Sequence, residues 1–141
     1  MAETTLPVEH LFTLTAHTQP GGTIAGGPHG TRRVTAITGG TFVGPKLRGT
    51  IAEHPGGDWL LVRADGSLRL DVRLLLQTDD GAAILMTYSG IGVPTADGFT
   101  LRSAPQFETG DARYGWLNQV QAVGIGTPAR GTVTYEVYAL R

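Results

Sequence analysis

The stretch that decides the fold runs from Trp59 to Gly90 and reads WLLVRADGSLRLDVRLLLQTDDGAAILMTYSG. It contains three runs rich in Leu, Val and Ile, which the dipeptides Asp65-Gly66 and Asp80-Gly81 separate. Asp-Gly suits a two-residue type I′ hairpin turn, because both central residues of that turn need a positive φ. The stretch therefore predicts three antiparallel strands joined by two tight turns.

A two-residue turn fixes which residues pair across the strands, and hence the face that each side chain takes. In this register Val62 pairs with Arg69, and Arg73 pairs with Tyr88. A turn one residue longer would move the affected strand to the opposite face. One face carries Trp59, Leu61, Leu68, Leu70, Val72, Leu74, Leu76, Ala83 and Leu85. The other carries Leu60, Val62, Arg69, Asp71, Arg73, Leu75, Gln77, Ile84, Met86 and Tyr88.

Both predicted faces are unusually apolar. The simpler alternative is a sheet with one core face and one solvent face. A solvent face seldom groups as many large apolar side chains as the second set does. We therefore expect one face to line the interior of a barrel and the other to be covered by protein. A second copy of the chain would supply that cover, so the predicted partner is the same chain, as a homodimer or higher homo-oligomer.

The rest of the chain continues the pattern of short strands between turns. Its 141 residues include 21 Gly and 8 Pro, and no segment shows helical periodicity with caps. Gly39-Gly40 predicts another hairpin turn, residues 19–30 and 94–98 read as loops, and residues 108–114 as a loop or single helical turn. The strand candidates are 8–18, 31–38, 41–52, 59–64, 67–78, 82–90, 99–104, 116–126 and 132–140. These nine strands predict an all-β fold, a small antiparallel β-barrel forming one domain over residues 1–141, with residues 1–6 frayed.

The composition argues against several classes of partner and of chemistry. Charged residues make up 16% of the chain and the net charge is −1, without a basic or acidic block. Nucleic acid and anionic membranes attract clustered positive charge, so neither is an expected partner. The chain has no Cys, which removes thiolate nucleophiles and Cys-ligated metals. Since we find neither a secretory signal nor a run of 18 apolar residues, we expect a cytoplasmic protein.

Charged residues alternate along one candidate strand. Arg69, Asp71 and Arg73 lie two residues apart and therefore share a face, and the predicted register adds Tyr88 to it. An enclosed Asp71 between two Arg would stay ionised, and the Tyr88 phenol would donate to a substrate oxygen. The alternative is a structural Arg–Asp–Arg network that braces the sheet.

Residues 104–118, APQFETGDARYGWLN, are dense in polar and aromatic side chains. Trp116 and Asn118 share a face if a strand begins there, and they would orient an oxygenated ring. Glu108 would act as an acid or base at the barrel mouth. The alternative is a surface loop whose aromatic residues cap the barrel. The four His residues show no metal-ligand spacing, so no metal site is expected.

Several motifs resemble an uncharacterised protein family, domain of unknown function 3237. They include residues 37–42 (ITGGTF), 63–66 (RADG), 70–73 (LDVR), 78–81 (TDDG) and the segment from 107 to 118, and the resemblance covers nearly the whole chain. It departs at residues 99–102, where only Arg102 keeps the family pattern clearly. The resemblance implies a small antiparallel barrel of the lipocalin-like or allene-oxide-cyclase-like kind, often oligomeric, without implying one activity. The positions carried over are Arg33, Trp59, Asp71, Arg73, Tyr88, Arg102, Glu108, Trp116 and Asn118.

The resulting hypothesis is a cofactor-independent lyase, isomerase or cyclase that binds a small hydrophobic oxygenated molecule in the barrel lumen. Its predicted catalytic residues are Asp71, Arg73, Tyr88 and Glu108. Its predicted substrate-binding residues are Arg33, Trp59, Arg102, Trp116 and Asn118, and neither a cofactor nor a metal is expected. The alternatives are a non-catalytic carrier or sensor that uses the same lumen and a structural oligomer with a filled core.

Overall fold

The structure, a computed structural model, describes residues 2–141 and is built almost entirely of β-strands. The fraying predicted for residues 1–6 falls partly on Met1, which lies outside the described residues. The strands are β1 (Val8–Gly27), β2 (Gly30–Val43), β3 (Arg48–Ile51), β4 (Gly57–Val62), β5 (Leu68–Thr78), β6 (Ala83–Thr95), β7 (Gly98–Ser103), β8 (Gln106–Glu108), β9 (Ala122–Ala129) and β10 (Thr132–Leu140). A 3₁₀ helix, Ala112–Gln119, lies between β8 and β9.

Hydrogen bonding closes the sheet into a barrel. The pairs run β5–β4–β2–β1–β10–β9–β7–β6, and β6 pairs back with β5, so eight antiparallel strands form a closed ring. Towards one end, β3 lies between β2 and β5, and the short β8 pairs with β6. Closure pairs the backbone N–H and C=O groups that the edge strands of an open sheet would leave exposed. The predicted all-β antiparallel barrel is confirmed.

The predicted type I′ turns are wrong, because each loop has three residues. Leu61 pairs with Arg69 and Leu76 pairs with Ile84, which leaves Ala64–Gly66 and Asp79–Gly81 as the loops. Only the last residue of each loop needs a positive φ, and it is 84° at Gly66 and 95° at Gly81. Side-chain hydrogen bonds fix the longer loops: Asp65 Oδ1 accepts from the Ser67 backbone N–H at 2.9 Å, and Asp80 Oδ1 accepts from Thr78 Oγ1 at 2.6 Å.

The corrected register separates apolar and polar side chains cleanly. Val72, Leu74 and Leu76 on β5 now share the barrel interior with Ile84, Met86 and Tyr88 on β6. The side chains of Arg69, Asp71, Arg73 and Gln77 lie on the exposed outer wall. Two apolar faces were predicted only because the register was wrong by one residue. The homo-oligomer stays an untested prediction, and the argument that led to it no longer applies.

Several local predictions also change. Gly39 and Gly40 are not a hairpin turn but lie within β2, where a Cβ on Gly40 would meet the backbone of Thr15 and Ala16 on β1. Residues 19–30, predicted as a loop, form the end of β1, a two-residue turn and the first residue of β2 in an exposed β1–β2 hairpin with bulges near Pro20 and Ile24. Residues 116–119, predicted as strand, belong to the 3₁₀ helix.

One half of the barrel interior is filled by a tightly packed core. Phe12 meets Phe42 and Phe107 edge to face, with ring centroids 5.5 and 6.0 Å apart. Leu14, Leu74, Leu76, Ile84, Met86 and Leu117 are buried with them. This packed half fixes the barrel and leaves the other half of the interior as the place for a cavity.

The turn geometry gives a first testable prediction. Gly81→Ala is expected to destabilise the protein by about 1–2 kcal/mol, because an L-residue is strained at a positive φ. Gly110→Ala is the matched control: Gly110 also has open space around it, but its φ is not positive. Urea unfolding of both variants measures the difference, and an unchanged Gly81→Ala midpoint would contradict the positive φ at Gly81.

Candidate functional site

A cavity of about 240 Å³ occupies the half of the barrel that the packed core leaves free. We call it the lumen cavity. Its volume lies just below the range of about 300–1,000 Å³ typical of ligand sites, so it suits a small molecule. Exposed lining residues, Arg33 on β2 and Ala129 on β9, mark its opening. The wall is mostly apolar, with Ala16, Ile37, Leu60, Leu68, Leu70, Val72, Phe99, Leu101, Pro128 and Val133, and its polar members include Thr35, Asp58, Tyr88 and Tyr135.

Two glycines on β9 make room for the Tyr135 ring of the cavity wall. Gly126 pairs with Tyr135 on β10, and a Cβ on Gly126 would lie 2.7 Å from Cζ of the Tyr135 ring. A Cβ on Gly124 would lie 3.1 Å from Cδ1 of the same ring. The Tyr135 ring therefore lies flat along β9, and the Gly-x-Gly spacing has a packing role.

Asp58 is the carboxylate of the lumen cavity. It is half-buried on β4 and pairs with Val72 on β5 and Thr35 on β2, whose side chains also line the cavity. The Asp71 backbone N–H donates to Asp58 Oδ1 at 3.0 Å, and the Trp59 carbonyl accepts from Arg32 Nη1 at 2.9 Å. The β4–β5 ladder pairs neither Trp59 nor Asp71, so these two bonds satisfy backbone groups that the ladder leaves without a partner. The bond from the Asp71 N–H therefore ties the Asp58 carboxyl to the backbone of β5.

The environment of Asp58 favours its neutral form. Burial raises the pKa of Asp58 from its ordinary 3.8 to about 6. The hydrogen bond from the Asp71 backbone N–H lowers that pKa by less, and the negative charge of Asp71 adds a small further rise. A carboxyl with a pKa near 6 has substantial fractions of both protonation states close to neutral pH, as a general acid or base requires.

Two buried phenols accompany Asp58. The rings of Tyr88 and Tyr135 meet edge to face with centroids 5.3 Å apart, and both line the lumen cavity. Burial raises the pKa of each phenol well above its ordinary value, and the nearby Asp58 charge adds to both rises. Both phenols are therefore neutral hydrogen-bond donors at physiological pH.

The arrangement can move a proton inside an apolar enclosure. Asp58 can give or take a proton, and Tyr88 and Tyr135 can donate hydrogen bonds to a substrate oxygen. The Arg33 guanidinium adds a positive charge at the opening. In a site that excludes water such groups act more strongly than they do in solution.

Of the nine predicted site residues, the structure brings Arg33 and Tyr88 to the lumen cavity. Tyr88 pairs with Val72 rather than Arg73. The other predicted residues of the barrel wall have exposed side chains on its outer face: Asp71, Arg73, Trp59, Arg102 and Glu108. The predicted placement of Asp71 and Arg73 on one face with Tyr88 is wrong, because the turn between β5 and β6 is one residue longer than expected. Their individual roles stay predictions.

Trp116 and Asn118 lie in the 3₁₀ helix, away from the lumen cavity. Lys46 Nζ stands 5.3 Å from the centroid of the Trp116 ring. Asn118 accepts from the Thr109 backbone N–H at 2.8 Å and donates to the Thr109 carbonyl at 3.0 Å. These contacts match the alternative that the sequence left open, a loop region that caps the barrel.

The sequence reasoning missed Asp58 and Tyr135. Asp58 precedes Trp59, where the predicted strand began, so it was never assigned a face. A three-residue turn would have placed Asp58 together with Leu60 and Val62 on the interior face. Tyr135 alternates with Val133 and Val137 on β10, and the facing Gly124-x-Gly126 was the available sign that a large ring lies there.

No helix within residues 2–141 is both long and apolar enough to cross a membrane.

Comparison with known proteins agrees with this architecture. Over 94 residues the chain is 39% identical to the hydroalkoxylation enzyme phnH of Penicillium herquei, an alignment that spans 66% of this chain and 56% of that relative. The crystal structure of an enzyme from Penicillium herquei superposes with a TM-score of 0.80 at 28% identity, covering 100% of this chain and 98% of that one. A beta-barrel like protein from Acinetobacter baumannii superposes with a TM-score of 0.87 at 31% identity, covering 99% of both chains.

The fold and the site define a small closed antiparallel barrel with a half-buried carboxyl and two buried phenols in its lumen. The chain belongs to the DUF3237 family of proteins of unknown function, whose pattern matches residues 6–140. The predicted family is thereby confirmed. One of these similar proteins, phnH, is an enzyme by its name.

Proposed function

We propose that this protein is an enzyme that adds a hydroxyl group across a carbon–carbon double bond within a small, hydrophobic, oxygenated molecule. The observation that carries the proposal is the half-buried Asp58 carboxyl, with a pKa of about 6, in a cavity shared with two neutral phenols. The similarity to a hydroalkoxylation enzyme supports this reaction class. Such an addition within one molecule forms a ring and is an isomerisation, which narrows the lyase, isomerase or cyclase expected from the sequence.

The reaction balances without an oxidant or reductant. Protonated Asp58 gives its proton to one alkene carbon, and the π bond breaks. The hydroxyl oxygen forms a C–O bond to the other alkene carbon, and its proton passes to the Asp58 carboxylate. The carboxyl ends in its starting form, so one group serves as acid and then as base, and the proposed reaction is cofactor-independent.

The remaining groups would position the substrate. The apolar walls of the lumen cavity would hold its hydrocarbon part close to Asp58, which converts an encounter in solution into a reaction within a fixed complex. Tyr88 and Tyr135 would donate to a substrate oxygen. Arg33 at the opening would attract a partial negative charge from the entering molecule.

A non-catalytic carrier is the second candidate. The largely apolar lining of the lumen cavity favours it, because apolar walls suffice to bind a hydrophobic ligand. A carrier would release its ligand unchanged. It would also have no need for a carboxyl with a raised pKa, so Asp58 argues for the enzyme.

Turnover in D₂O separates the two candidates. Purified protein is incubated with a set of small hydroxy-alkenes, such as 2-allylphenols, and the products are followed by chromatography and mass spectrometry. We expect a cyclic isomer of the substrate that carries one carbon-bound deuterium from the solvent. Asp79→Asn is the control, because Asp79 carries an exposed carboxyl at the opposite end of the barrel. The turnover of this variant should equal that of wild type. Binding of these compounds without any isomer formed would overturn the enzyme and favour the carrier.

A further inference from the structure

Four hairpins surround the opening of the lumen cavity. They join β1 to β2, β4 to β5, β6 to β7 and β9 to β10, and because every pairing in the barrel is antiparallel their turns lie at one end. The cavity lining reaches these hairpins at Arg33, Phe99 and Ala129, whereas the packed core around Phe12 fills the other half of the barrel. We call the four turns, with the four strand residues on either side of each, the opening end.

The opening end is basic. It carries five arginines against three aspartates, and the rest of the chain carries six Lys and Arg against nine Asp and Glu, so the two parts have net charges of +2 and −3. None of the five arginines forms an ion pair with a carboxylate among residues 2–141, whereas Lys46, Arg113 and Arg141 elsewhere do. The charged residues of the opening end are Arg32, Arg33, Arg63, Asp65, Arg69, Asp71, Asp97 and Arg130.

Large apolar side chains are exposed at the same end. Ile24 on β1 is 62% exposed, and Val93 on β6 is 49% exposed. Ile24 pairs with Arg32, and Val93 precedes Pro94, which pairs with the cavity-lining Phe99. Peripheral proteins bind a bilayer through this combination, because apolar side chains enter the headgroup region while cations attract anionic lipids.

We propose that the opening end docks on the surface of a bilayer that contains anionic lipids, and that the lumen cavity takes up its hydrophobic ligand from that bilayer. The cavity opens at the docked end, so a ligand dissolved in the bilayer would enter the apolar lumen without crossing open water. Docking does not depend on the reaction, because an enzyme and a carrier would both receive a hydrophobic ligand in this way.

The distribution of charge fixes the orientation of the docked protein. An anionic surface attracts the opening end and repels the acidic remainder of the chain, which turns the cavity towards the lipid. The arginines of the opening end come from β2, β5 and two separate turns, so only barrel closure gathers them. The sequence-based expectation against an anionic membrane considered only blocks of charge along the chain, where this surface leaves no sign.

Co-sedimentation of the whole protein with lipid vesicles tests the proposal without any turnover. Vesicles of phosphatidylcholine alone are compared with vesicles of three parts phosphatidylcholine to one part phosphatidylserine. We expect stronger binding to the anionic vesicles, and added sodium chloride should weaken it. Arg69→Gln and Arg130→Gln should each weaken this binding by about fivefold, and Ile24→Ser should weaken it by about tenfold.

Val43→Ser and Arg48→Gln are matched controls. Val43 is 53% exposed and pairs with Arg48 at the other end of the barrel, so these variants remove the same two kinds of side chain from a different surface. Both should bind anionic vesicles as wild type does. Thermal unfolding of each variant checks that it is folded at the temperature of the binding measurement.

Equal sedimentation with both kinds of vesicle, or none with either, would overturn the proposal. So would any result in which the opening-end variants and the controls bind alike. Retention of duplex DNA without vesicle binding would also overturn it, because the basic end would then serve another polyanion. Vesicle binding without hydroxy-alkene turnover would retain the docking surface and reject only the proposed addition reaction.

Discussion

Replacing Asp58 by Asn should lower the turnover of the proposed reaction by about a hundredfold to ten-thousandfold, the usual contribution of a general acid or base. The amide has nearly the same shape and can still accept the hydrogen bond from the Asp71 backbone N–H. It cannot donate a carboxylic proton to an alkene carbon or take one from a hydroxyl. Substrate affinity should change little in comparison, so the loss should lie in kcat rather than KM.

The pH dependence of turnover gives the same hypothesis a second check. The protonated carboxyl starts the reaction, so kcat/KM, which reports the ligand-free protein, should fall as the pH rises through about 6, the raised pKa of Asp58. The residual activity of Asp58→Asn should lack this fall. Asp79→Asn should keep both the rate and the profile of wild type. Wild-type turnover that is unchanged from pH 5 to pH 8 would contradict Asp58 as the acid.

Asp71→Asn and Glu108→Gln test the roles that the sequence assigned to two outer-wall carboxylates. Both side chains are exposed outside the lumen cavity, so a reaction within the lumen does not use them as proton carriers. We expect each variant to retain at least half of wild-type turnover. A loss of turnover as large as that of Asp58→Asn would indicate that the reaction takes place at the outer wall.

The class of fold was predictable from local signals. Alternation along residues 68–76, the frequent glycines and the lack of helical periodicity require only nearest-neighbour rules, and these rules predict an antiparallel barrel. The dipeptides Asp65-Gly66 and Asp80-Gly81 correctly located two turns. They did not determine loop length, because a glycine with positive φ serves a three-residue loop as well as a type I′ turn.

The candidate site depended on that one residue of loop length. A strand has a side-chain period of two, so a slip by one residue exchanges its inner and outer faces. The slip placed Asp71 and Arg73 beside Tyr88, and it hid the meeting of Asp58 with Tyr88 and Tyr135. That meeting joins β4, β6 and β10, which are distant in the chain and contact one another only through barrel closure. No spacing within one segment contains this information.

Asp58→Asn should also make the protein more stable above pH 6. The ordinary pKa of 3.8 describes Asp58 in the unfolded chain, and the folded value is about 6. Below pH 3.8 both states are protonated and Asp58 has no effect on stability. As the pH rises from 3.8 to 6 the unfolded chain releases its proton while the folded protein keeps it, so the free energy of unfolding falls. Above pH 6 Asp58 is ionised in the folded protein as well, and the free energy of unfolding is lowered by the full cost of holding this poorly solvated charge.

The gap between 3.8 and about 6 corresponds to about 3 kcal/mol at most. We therefore expect the unfolding free energy of Asp58→Asn at pH 8 to exceed that of wild type by about 1–3 kcal/mol, since the new amide N–H groups are themselves partly buried. At pH 3.5 the carboxyl is largely neutral in both states, so this gain should vanish and the variant should be no more stable than wild type. Urea unfolding at both pH values measures this, with Asp79→Asn as an exposed control that should follow wild type at each pH.

The two effects of Asp58→Asn have opposite signs, and this contrast separates function from structure. A carboxyl kept for packing or hydrogen bonding would lose stability when it is replaced, and any loss of turnover would then follow from unfolding. A carboxyl kept for proton transfer destabilises the folded state, because the burial that raises its pKa also opposes its charge. A variant that is inactive and more stable at pH 8 would identify Asp58 as a functional group, whereas an inactive variant that is less stable at pH 8 would identify it as a structural one.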